Sequence, residues 1–229
     1  MTANQDARRG NWGVLTGSLF VVLWFAGTIV QGMSGAGFPR PTDDMATVAG
    51  YIRDGADRMG QSAGLQILSA FALLCFAGIL AAYLRRTGRG GAAAELVQGA
   101  GVASAVTLMV GTAATVALGT TDLVNDDASA QLLYQMSFWL AGPIHIAALG
   151  AMMLAAAYGL AIPAWLRISG MVIGAIGVVA AASPIVSTLV VATPIGRFAG
   201  FLWIIVLTVL LAVRRAPAAA PTVEQPAQV

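Results

Sequence analysis

From Leu132 to Ile162 the chain runs for 31 residues without one formally charged side chain. A helix rises 1.5 Å per residue, so about two-thirds of that run is enough to cross the roughly 30 Å hydrocarbon core of a bilayer. A segment of this kind cannot be the solvated helix of a soluble domain. It also holds Pro143, at which a helix should kink, and His145, the single histidine of the chain. The rest divides into further apolar runs and short polar connections.

Composition agrees with that setting. Apolar residues make up 58% and charged residues 10%, against roughly a quarter charged in an ordinary soluble domain. The twelve basic residues are all arginine. They stand singly or in pairs at the ends of apolar runs and form no basic face, so nucleic acid is excluded as a partner despite a pI of 9.1. A lone cysteine, Cys75, excludes an intrachain disulfide.

The pattern predicts an all-α, polytopic membrane bundle of six transmembrane helices. The spans fall at about 12–30, 63–84, 96–118, 132–160, 168–191 and 195–213, with Pro184 near the far end of span five. Residues 1–11 form a polar N-terminal segment and 214–229 a Pro- and Ala-rich tail expected to be disordered. Span one is longer than a secretory h-region, so it reads as an uncleaved anchor. The first loop should carry a short amphipathic helix, Thr42 to Met59. Thr42 is placed to cap it, and Met45, Val48, Ala49, Ile52, Ala56 and Met59 make one apolar stripe. Asp54 and Arg58 are spaced for an i,i+4 pair. Gly50 and Gly55 weaken this helix, which should therefore form by docking on the bundle or the membrane surface.

Six spans put both termini on one side. Eight arginines (8, 9, 85, 86, 89, 167, 214, 215) fall on that side and four (40, 53, 58, 197) on the other. The positive-inside rule then predicts cytoplasmic termini, a multi-pass protein of the cell membrane, and an extracytoplasmic first loop. Trp12, Tyr83, Tyr158 and Trp165 at the inner ends, and Tyr134 and Trp139 toward the outer end of span four, fit an interfacial belt.

The run from His145 through Gly150, then Ile162-Pro163-Ala164-Trp165-Leu166 and Gly170, and a sixth span closed by Arg214-Arg215, resembles a family of uncharacterised bacterial six-helix membrane proteins, a domain of unknown function. The resemblance implies a compact six-helix bundle and carries no activity, substrate or catalytic residue.

Few polar groups fall within the spans. His145 is read first as a histidine satisfied by Ser, Thr or a carbonyl freed by Pro143, that of Trp139, and second as a ligand or proton relay. Cys75 should lie at a similar depth, so a Cys75/His145 nucleophile–base pair is considered, although no third carboxylate accompanies it. Arg197, at the start of span six, reads as a snorkelling side chain or as an anion or headgroup contact. Gly13xxxGly17, Gly170xxxGly174 and Gly196xxxGly200 offer close-packing faces, expected within the chain rather than at a dimer seam.

Several classes are excluded. Gly32-Met33-Ser34-Gly35 matches the GxSG tetrapeptide of rhomboid proteases, but Ser34 falls in a loop after span one and the remaining signatures are missing. No HExxH, CxxC or Walker loop occurs, and one histidine cannot ligate a haem on both faces, so no metal and no cofactor are expected. No acidic residue lies mid-span, which speaks against proton or sodium coupling; Glu95 and Asp122 sit at span ends and read as solvated. The leading expectation is a structural or accessory membrane protein, not an enzyme, touching membrane lipids and a membrane-protein partner or a second copy. The alternatives are a small transporter or channel for a neutral or lipophilic solute, using hydroxyls such as Thr107, Thr112, Ser183 and Ser187, and an intramembrane enzyme using Cys75 and His145.

Overall fold

The computed structural model describes residues 12–33, 39, 43–87, 91–120 and 126–213. Among them every regular element is helical. A 3-10 turn, Trp12–Leu15, leads into α1 (Thr16–Gly32), and α2 (Met45–Arg86) and α3 (Gly91–Thr120) follow. Next comes α4 (Asp127–Trp139), which passes through a π turn (Leu140–Ile144) into α5 (His145–Gly159). The chain ends in α6 (Ala164–Val179) and α7 (Ala192–Val213). Six of these helical stretches are long and apolar enough to cross a membrane, the architecture of a multi-pass membrane protein.

Ser18 and Thr208 share a 2.6 Å hydrogen bond, so the start of α1 and the finish of α7 lie at one end of the bundle, called here the near end. Trp12, Tyr158 and Trp165 are exposed there, as an aromatic belt requires. Between the ends, Phe20, Phe76, Leu80, Ile146 and Phe201 belong to one continuous core. Helices in lipid gain little from apolar burial and associate through close packing instead. The glycines supply it. A Cβ at Gly150 would stand 2.5 Å from the Gly174 carbonyl, one at Gly170 would enter the Trp203 ring at 2.6 Å, and one at Gly17 would meet Thr208 at 2.5 Å. The GxxxG faces are therefore used within the chain.

Several expectations are corrected. The amphipathic segment is no separate helix but the first part of α2, which continues without a break into span two. Its stripe docks on protein: Val48, Ile52 and Met59 bury against Leu118, Ala130 and Tyr134 at the far end. The helix begins after Asp44, whose carboxylate accepts from the Thr47 amide at 2.9 Å and the Thr47 hydroxyl at 2.8 Å; Thr42 lies outside the described residues. Asp54 and Arg58 form no ion pair, and the pair observed among the described residues is Arg85–Glu95 at 3.8 Å.

Span five is also shorter than expected. It stops at Val179, a 3-10 turn ends at Ala182, and residues 187–191 form a second 3-10 turn that feeds α7. Pro184 is the physical reason, since it lacks an amide proton to continue the ladder. Tyr134 is no interfacial anchor either: it is buried and its hydroxyl donates to the Pro39 carbonyl. Ser34, Arg40, Asp122, residues 1–11 and the tail 214–229 lie outside the described residues.

Candidate functional site: a cleft around Arg197

Cys75 and His145, considered as a pair in sequence, do not come together. Cys75 is exposed on the flank of α2. His145 is completely buried, and its ring neighbours are Ser104 and Phe20, not the thiol. The proposed nucleophile–base pair is therefore not formed.

His145 clamps span four to span three. The Ser104 hydroxyl donates to the His145 carbonyl at 3.0 Å, and the imidazole Nδ1 lies 2.9 Å from the Ser104 carbonyl. A carbonyl can only accept, so Nδ1 carries the proton. One ring nitrogen, Nδ1, finds its partner in Ser104 and not in the Trp139 carbonyl. The other, Nε2, is buried without a hydrogen-bond partner.

The carbonyl that the kink does release is taken by Arg197. Gly142 leaves helical geometry at φ −103°, ψ −109°, and the His145 amide turns to the Leu140 and Gly142 carbonyls. That pattern skips Ala141, whose carbonyl accepts from Arg197 Nη2 at 2.7 Å. The guanidinium carbon stands 5.0 Å from the centre of the Trp24 ring, a cation–π distance. Trp24 is the thirteenth residue of the 21 in Trp12–Gly32, and Ala141 the fourteenth of the 32 in Ala128–Gly159. Arg197 consequently does not snorkel to an end of the bundle; its charge is turned inward at mid-depth.

Above this guanidinium opens a cleft of about 420 Å³. Trp24, Thr28 and Gln31 line it from α1, Tyr51 and Gln66 from α2, and Thr115 from α3. Span four contributes Tyr134, Ser137 and the kink residues Ala141 to Pro143, and α7 contributes Thr193, Arg197 and Phe198. The cleft thus runs from the Tyr51–Tyr134 contact at the far end down to the kink. Among the described residues no carboxylate lines it. A chain of neutral groups ties three spans along its wall. Gln31 Nε2 donates to the Tyr51 hydroxyl at 2.9 Å, Ser62 to Gln31 Oε1 at 3.4 Å, Gln66 Nε2 to Ser62 at 3.5 Å and Thr112 to Gln66 Oε1 at 3.4 Å.

Of the hydroxyls expected to mark a solute path, Thr112 alone joins this chain of neutral groups, bonded to Gln66 behind the lining. Thr107 and Ser183 donate to carbonyls of their own turns at 2.9 Å and 2.7 Å, and Ser187 is exposed. A second depression, at the near-end turn from Tyr158 to Pro163, has Arg167 as the one charged residue among its described neighbours. Gln66 and Trp24 went unread in sequence, although a glutamine inside the apolar run 63–84 was a legible sign of a buried polar group. Among the described residues no cluster of His, Cys, Asp and Glu could hold a metal ion. No family model matches the chain, and no match was found among curated proteins or among solved structures.

Proposed function

We propose that this chain is an accessory protein of the cell membrane with both termini cytoplasmic, similar in its six-helix bundle to a family of uncharacterised bacterial membrane proteins. Its cleft is a non-catalytic binding site that opens toward the extracytoplasmic side and takes an amphipathic molecule from the membrane. One observation supports this most directly: an arginine side chain faces a largely apolar cleft of about 420 Å³ at mid-depth, with no carboxylate among the described residues that line it. Ionisable groups at such depth are costly and mark binding or transport sites by default. The Ser104–His145 clamp and the Gly150–Gly174 approach close the bundle near the cleft floor, which favours a binding site over a continuous channel.

The test is purification in a mild neutral detergent, organic extraction and mass spectrometry of what remains bound. The expected result is a near-stoichiometric amphiphile that is lost when Ser137→Trp fills the cleft. A protein that retains nothing, and binds no added amphiphile, overturns the reading. A reporter fused after Val229 checks the orientation, and activity of a periplasm-dependent reporter at that position would refute it.

A further inference from the structure

We propose that the cleft selects an oxyanion headgroup, a carboxylate or phosphate, and that Arg197 is its counter-charge. This rests on the binding role proposed above and names the ligand class. The guanidinium is held but not neutralised. Its Nη2 is spent on the Ala141 carbonyl and one face on Trp24, while its Nε is buried with no hydrogen-bond partner. One turn earlier on α7, Thr193 also lines the cleft, and its hydroxyl is likewise buried and unpartnered. Two unfilled polar atoms, four residues apart on one helix and both belonging to cleft-lining side chains, call for an acceptor that no described residue provides.

The rest of the lining narrows the choice. Gln31, Gln66 and Tyr51 bond to one another or to hydroxyls, so they leave the charge to a guest. Thr193 stands in the first turn of α7, where the helix dipole favours negative charge. A neutral ligand could fill the space but could not compensate the cation, which in a low-dielectric setting needs an anion and not just a dipole. Phe198 lines the cleft and is also half-exposed on the flank of the bundle, stacked on Phe25 at 6.1 Å. The wall there is one side chain thick, and an acyl tail leaves past it into lipid.

The experiment uses the full chain, delipidated in maltoside detergent, with radiolabelled laurate as probe and dodecyl phosphate, dodecanol and inorganic phosphate as competitors. Laurate should bind one per chain and be displaced by dodecyl phosphate, with dodecanol at least tenfold weaker. Arg197→Gln should weaken laurate tenfold or more and leave dodecanol unchanged; Thr193→Val should weaken it a few-fold. If Arg197→Gln does not fold, Arg197→Lys, which keeps the charge but loses Nε, should show intermediate binding. Inorganic phosphate competing as well as dodecyl phosphate supports the oxyanion and assigns it to a soluble source. Equal binding of laurate and dodecanol, indifferent to position 197, overturns the proposal while leaving a cleft-binding protein. Binding of neither defeats the binding role itself.

Discussion

Arg197 Nη2 donates to the Ala141 carbonyl at 2.7 Å because the π turn has pulled the His145 amide away from that carbonyl. Kink and arginine are therefore one device: Pro143 and Gly142 create an orphan acceptor in the middle of span four, and a charged donor from α7 fills it. Arg197→Ala should cost about 1–3 kcal/mol, the range for a lost hydrogen bond to a charged group, with the relief of an unpaired cation offsetting part. Thermal unfolding in detergent reads it. The cost should shrink in a Pro143→Ala background, where a regular helix can retake the carbonyl, so the double mutant should fall well short of the sum. Additive costs would show that the two features are unrelated.

The Ser104–His145 clamp makes a second, smaller prediction. Ser104→Ala removes the hydroxyl bond to the His145 carbonyl but leaves the Ser104 carbonyl for Nδ1, so the loss should be about 1 kcal/mol. Cys75→Ala, on the exposed flank of α2, should change stability by no more than about 0.5 kcal/mol. Nitrogen NMR of the imidazole should find the proton on Nδ1. A proton on Nε2, or strong coupling between positions 75 and 145, contradicts this geometry.

The spans were legible because charge is so sparse: the uncharged run 132–162 and the arginines at span ends left little freedom in where helices begin and end. The GxxxG faces were legible too, since small residues at i,i+4 have few other uses in lipid. What could not be read was direction. Arg197 looks the same in sequence whether it reaches out to headgroups or in to Ala141, and the choice depends on a carbonyl freed in another span 56 residues away. Counting along the spans puts Cys75 and His145 at a similar depth, but the helical rotation that puts one on the flank and the other in the core is set by packing among several spans. The docked first part of α2 was recognised by its stripe, whereas its fusion with span two was hidden by Gly60-Gln61-Ser62, a polar break in pattern that does not break the backbone.

Glycine positions divide sharply by what a methyl would meet. Gly150→Ala and Gly170→Ala insert a Cβ 2.5 Å from the Gly174 carbonyl or 2.6 Å from the Trp203 ring. Neither neighbour is a flexible side-chain tip, so the helices must separate, at about 1–3 kcal/mol for overpacking. Gly64 and Gly99, in helices and with open space around them, should instead gain up to about 1 kcal/mol on substitution by alanine. Melting temperatures of the four variants in one detergent decide it, and a uniform response would mean that the glycine faces are not the contacts described.

The far-end helix starts depend on two aspartates, Asp44 and Asp126, which cap α2 and α4. Each accepts from the amide and the hydroxyl of the residue three positions on, Thr47 and Ser129. Those bonds hold both carboxyls below the ordinary aspartate range. A lowered folded pKa means that the unfolded chain takes up the proton first. The caps therefore contribute fully above the unfolded value of about 4 and fade as pH falls from there toward the folded value. Hydrogen exchange of the amides in the first turns of α2 and α4 should accelerate below about pH 4, while amides near Ser104 and Gly150 stay protected. Asp44→Ala should show the faster exchange in α2 already at neutral pH and lose the acid dependence there, and Asp44→Asn should keep most of the protection because asparagine caps as well as aspartate does. Exchange in that turn that ignores both pH and the side chain at 44 would mean that docking on Leu118 and Tyr134, and not the cap, holds the end of α2.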